Sequence, residues 1–136
     1  MEAKVKWVDG LSFVAESASG HQVVMDGNRG EKGPSPMEMV LMSAGTCSAI
    51  DVVSILEKGR HQVLGCEVKL TSTRREEAPR LFTHINLHFI VTGKTLTDKA
   101  VERAVSLSAE KYCSVALMLG QAVEITHSHE IVIADS

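Results

Sequence analysis

Aromatic side chains are scarce in this chain, only 4% of its residues. A core has to be built from Val, Ile, Leu, Met and Ala, and it depends on close aliphatic packing and on area buried against a partner chain. Basic clusters are missing too: the net charge is -3, and no Lys/Arg run is interleaved with aromatics, which excludes the electrostatic footprint of a nucleic-acid binder. The opening residues MEAKVKWVDG have no apolar core of the signal-peptide kind, and no stretch reads as long and apolar enough to span a bilayer. No membrane partner and a cytoplasmic location are therefore expected. The three cysteines are odd in number and form no CxxC, which excludes a secreted disulfide framework and a zinc knuckle but leaves room for a redox pair in a reducing compartment. There is no internal repeat, phosphate-binding loop, dinucleotide fingerprint or Ser-His-Asp grouping. No cofactor is expected.

What is present is an ordinary globular balance, 44% hydrophobic and 23% charged in 136 residues, which predicts one domain over 1–136. Alternation from Lys4 to Val8, from Leu11 to Glu16 and from His21 to Asp26, with turns at Asp9-Gly10 and SASG, predicts a three-stranded meander. The loop GNRGEKGPSP follows and leads into a helix with a strong start signal. Ser35 is placed as N-cap, Pro36 as the first helical residue and Glu38 as its capping-box partner, so the helix is predicted from Pro36 to about Lys58, ended by Gly59. Cys66 to Ser72 and Thr83 to Val91 alternate as strands, joined by the charged tip RREEAPR. Thr97 to Tyr112 has helical spacing with Thr97 as cap, SVALML is a short helical piece, and Val123 to Ile133 is a last strand. Strands grouped in this way predict an α+β fold.

Two thiols stand out. On a helical wheel Cys47 shares its face with Val40, Ser43, Ala44, Asp51 and Ser54, a small and polar stripe opposite Leu41, Ala49, Val52 and Leu56. Small neighbours leave room for a substrate or a second chain to reach the sulfur, while a packing thiol is the plain alternative. Cys113 lies where one helix ends and a short one begins, a place where free backbone N–H groups favour thiolate; a boundary thiol tucked under the helix is the alternative. Cys66 alternates with Val68 and Leu70 on a strand face and reads as core filler.

The segments GEKGPSPMEMVLMSAGTCS and AEKYCSVALML, with a cysteine eleven positions after Pro36 and a second one leading a short helix, resemble the OsmC/Ohr family of thiol-dependent hydroperoxide reductases. The resemblance extends over essentially the whole chain. It implies an OsmC-like fold with a long central helix, further antiparallel strands and C-terminal helices, assembled as an intertwined homodimer. It also implies that Cys47 is the peroxidatic thiol and Cys113 the resolving one, reducing organic hydroperoxides or hydrogen peroxide in oxidative stress defence and reset by a dithiol reductant. The alternative is a non-catalytic dimer of the same fold that binds a small apolar ligand or senses oxidant.

The chain departs from the family pattern at two places. The family's peroxidases carry a glutamate directly after the motif's proline and an arginine from the N-terminal region. Here Met37 follows Pro36, and Glu38 lies about 180° from Cys47 on the wheel and roughly 13 Å along the axis. Arg29 is the sole arginine before Cys47, in a solvated loop, and the like charge of Asp51, one turn after Cys47, acts to raise the pKa of that thiol unless a cation intervenes. Weak activity or a different substrate would follow. His84 and His88, and likewise His127 and His129, lack a third ligand at recognisable spacing and read as polar strand faces toward water, so no metal is expected. Met37, Met39 and Met42 read as packing or as the lining of an apolar pocket.

Overall fold

The computed structural model describes residues 1–134. The chain divides into two compact units, residues 1–41 and residues 42 onward, with the division falling inside the long helix.

The first unit is an antiparallel meander of β1 (Ala3–Asp9), β2 (Ser12–Ser17) and β3 (Gln22–Asp26). Gly10 and Gly20 take the left-handed conformations that the two tight turns require. Cross-strand pairing sets Val5 opposite Ala15, Trp7 opposite Phe13, and Ala15 and Phe13 opposite Val23 and Met25, so one face of this sheet is apolar. The glycine-rich loop after β3 is anchored by Asp26, whose carboxylate accepts the N–H groups of Asn28 and Lys32 at 2.7 and 3.0 Å. The hydrogen bond from Asn28 does most to hold that carboxyl below its ordinary pKa, against the opposing effect of burial.

The helix α1 (Pro36–Lys58) begins and ends where the sequence predicts. Its capping box is formed in both directions: the Glu38 N–H donates to Ser35 Oγ at 3.2 Å and the Ser35 N–H donates to Glu38 Oε1 at 2.9 Å. That bond accounts for Glu38 without any catalytic role and lowers its pKa. One expectation needs correction: by length and composition α1 is apolar enough to cross a bilayer, with a mean hydropathy of 1.8 over its best window. The helix nevertheless packs Ala44, Gly45, Ser48, Val52 and Leu56 inside the fold and carries Asp51 in its middle. A core helix of a folded domain is built in this way.

In the second unit β4 (Val63–Arg74) and β5 (Phe82–Gly93) form the expected antiparallel hairpin. The last strand, β6 (Glu124–Ile133), joins β5 in parallel, so the expected run of antiparallel strands is corrected at this strand. Two helices lie between β5 and β6 in the chain, and such a crossover returns the chain in the same direction. Ile85, Leu87, Phe89 and Val91 of β5 are wholly buried on one face, each contributing about 1.5–3 kcal/mol. Gly45 lets α1 approach this face: a Cβ there would stand 2.6 Å from the Leu70 side chain. The predicted helix Thr97–Tyr112 is interrupted. α2 (Asp98–Leu107), capped by Thr97, gives way to one π-helical turn over Ser108–Tyr112, and α3 (Ser114–Leu119) follows.

Candidate active site

Residues of α1, the π-helical turn and α3 build one site inside the second unit. Cys47 is half-buried on α1; Cys113 is fully enclosed as the N-cap of α3, where its Sγ accepts the Ala116 N–H at 3.4 Å. The two cysteines are neighbours, close enough for Cys47 to raise the Cys113 pKa, and both thiols are free. The structure thus brings together the two cysteines singled out in the sequence and leaves the third apart. Cys66 faces Val91 across the sheet, half-buried at the lip of a groove, with burial pushing its pKa up.

The expectation of a Cys113 thiolate is overturned. Its pKa is pushed up to about 11, first by burial, then by the Cys47 sulfur and the Asp51 carboxylate, and the single bond from Ala116 does not offset them. Cys113 is therefore a neutral thiol at physiological pH. The carboxylate of Asp51 raises the pKa of Cys113, a thiol the sequence did not relate to it.

Under the thiols lies a polar cluster that sequence reading missed. Ser108 donates to Asp51 Oδ2 at 2.9 Å, and Ser48 Oγ stands 2.9 Å from Ser108 Oγ, both serines being wholly buried. A signal for Ser48 existed, since it falls in the core-facing row of Ala44, Val52 and Leu56, where a hydroxyl needs a partner. Nothing in the sequence marked Ser108.

Asp51 also reaches a surface cleft of about 550 Å³ whose walls include Ser54, Lys58, Arg103 and Tyr112. Among the described residues no lysine or arginine forms an ion pair with Asp51.

The histidines need a further correction. His84 and His88 do share the polar face of the sheet, bonded to Thr126 and Ser128 at 3.0 and 2.7 Å. His127 and His129 alternate onto the opposite, core-packing face instead, beside Leu87 and Phe89. The parallel register of β6 decides this. His127 stacks on Phe89, its Nε2 is buried without a partner, and burial lowers its pKa; His129 binds Asp98 at the start of α2 at 2.8 Å.

The comparisons with known proteins agree with this architecture. The family model described as OsmC-like protein matches residues 29–128. Protein YhfA of Escherichia coli strain K12 is 77% identical over 134 residues, which cover 98% of this chain and 100% of that one. A hypothetical protein from Aquifex aeolicus VF5 shares 32% identity at a TM-score of 0.89, over 98% of this chain and 97% of the other. An organic hydroperoxide resistance protein OsmC from Legionella pneumophila shares the fold, with a TM-score of 0.70 at 14% identity over 95% of each chain. With most of its length matched by the family model, and a near-complete relative behind it, the chain belongs to the OsmC-like protein family.

Proposed function

We propose that this protein is a two-cysteine peroxidase of the cytoplasm, reducing organic hydroperoxides or hydrogen peroxide. The observation that carries the reading is a half-buried cysteine beside an enclosed one whose pKa it raises. Cys47 is the thiol that a peroxide can reach, and its thiolate attacks one peroxide oxygen, releasing alcohol or water and leaving a sulfenic acid. Cys113, kept as a neutral thiol beside it, then closes the disulfide, and a dithiol reductant opens it again.

A homodimer belongs to the same reading. Val5, Trp7, Val8 and Leu11 of the first unit and Met42 and Ile50 of α1 are exposed, and little more than a quarter of the most apolar window of α1 is buried in the chain alone, 28%. So much uncovered aliphatic surface is the mark of a protein interface.

One equivalent of cumene hydroperoxide is expected to consume two thiols and to join Cys47 to Cys113, seen as a bridged peptide by mass spectrometry. Cys47→Ser abolishes turnover and Cys66→Ser leaves it intact. Slow oxidation spread over all three cysteines would sink the reading. It would favour instead a non-catalytic dimer that holds a small apolar ligand, a role suited to the groove of about 590 Å³ lined by Ala49, Ile50, Val53 and Cys66.

A further inference from the structure

Ser108 ties together the two elements that carry the sulfurs. It opens the π-helical turn, and its carbonyl accepts the Cys113 N–H at 2.8 Å, so the main chain of Cys113 hangs from it. Single π turns of this kind are frequent at functional sites. Its hydroxyl donates to Asp51, and an ionised carboxylate only accepts, so the one proton of Ser108 is committed there. Ser48 must then be the donor in the second bond, to Ser108 Oγ. Ser48 follows Cys47 directly and Asp51 lies one turn beyond it. One residue is thus bound through its backbone to Cys113 and through its side chain to two residues that follow Cys47 within one turn of α1. Neither serine is exposed, and no water replaces these bonds when one is lost.

We propose that Ser108 is the positioning residue of the two-thiol reaction, holding the resolving sulfur of Cys113 in register with the sulfur of Cys47 through Ser48 and Asp51. The proposal rests on the peroxidase reading and assigns Ser108 to its second step alone. In the first step the Cys47 thiolate bonds to one peroxide oxygen, the O–O bond breaks, and the released alkoxide takes a proton from solvent to leave as alcohol. In the second, the Cys113 sulfur bonds to the sulfenic sulfur of Cys47, the S–O bond breaks, and hydroxide leaves with the Cys113 proton as water. Two electrons have passed from the thiols to the peroxide. Only this second step needs the two sulfurs in line, and a misplacement of about 1 Å costs such a step up to about 100-fold.

The test measures capture at Cys47 and closure of the bridge separately, by quenched mass spectrometry on the full chain, with two oxidants. Cumene hydroperoxide gives the sulfenic acid, trapped with dimedone. 2-Hydroxyethyl disulfide gives a mixed disulfide on Cys47 with release of one 2-mercaptoethanol, and Cys113 then displaces the second. Ser108→Ala is expected to capture both oxidants at the wild-type rate and to close the bridge at least about 10-fold more slowly with either. Asp51→Ala, which removes the acceptor for Ser108, closes slowly, and Asp51→Asn, which keeps an accepting oxygen, closes faster than Asp51→Ala. Should Ser108→Ala fail to fold, Ser48→Ala, which cuts one of the two side-chain bonds, gives the same separation of steps. Closure at the wild-type rate in the serine variants, or equal slowing of both steps, overturns the proposal. If the wild type ignores the peroxide yet closes with the disulfide reagent, the peroxidase reading fails while the positioning role is still decided by the second oxidant.

Discussion

In the sheet of the first unit every residue of β1 is exposed, whereas in the second unit β5 alternates between buried and half-exposed positions along nearly its whole length. Both sheets have an apolar face. Ile85, Leu87, Phe89 and Val91 are enclosed by their own unit, while Val5 and Trp7 stand open, 61% and 68% exposed. The difference teaches that amphipathic alternation tells where a sheet turns its apolar side but not which chain covers it. One sheet covers its apolar face within the chain, and the other leaves Val5 and Trp7 open.

The sharpest way to break this comparison is to truncate the enclosed face. Phe89→Ala should lower the unfolding free energy by about 3–5 kcal/mol, read from urea denaturation, because it leaves a cavity beneath His127 that the helices cannot refill. A loss under about 1 kcal/mol would mean that this face is less enclosed than described.

The enclosed region should also respond to alkali where the open one does not. The Cys113 pKa is raised in the folded chain from the ordinary 9.0 to about 11, so folding favours the protonated thiol. That stability is fully present below pH 9 and is lost as the pH rises toward 11, since the unfolded chain gives up the proton first. Cys113→Ser should flatten this alkaline limb in thermal melts recorded from pH 8 to pH 11, and an unchanged limb would assign the loss to other groups.

On the open face the expected effect on folding is smallest. Trp7→Glu should change the stability of the folded chain by no more than about 0.5 kcal/mol, as surface substitutions do, yet shift sedimentation toward the monomer. A variant that keeps the wild-type sedimentation would place the partner elsewhere.

The limits of α1 were legible because Ser35, Pro36 and Glu38 form a local signal that needs no tertiary context. The pairing of Cys47 with Cys113 came from the resemblance of their flanking segments, since no wheel or alternation relates residues so far apart. What stayed hidden depended on register. Nothing local fixes the direction or the register of β6 against β5, and that register put His127 and His129 on the core-packing face. The break after Leu107 was likewise invisible, because Ser108 to Tyr112 keep helical spacing while their backbone widens by one residue per turn. The charge state of Cys113 was misread for a related reason: a helix N-terminus is visible in sequence, but the burial that outweighs it is not.

The complete enclosure of Cys113 sets a hierarchy among the sulfurs toward the surrounding thiol pool. A bulky cellular thiol or alkylating agent meets Cys47 first and finds no path to its neighbour, so adducts should stop at the outer position and be expelled from within. Under the proposed chemistry the inner sulfur would be a captive partner whose exchange stays within one chain, which would keep the oxidised protein from cross-linking to unrelated molecules.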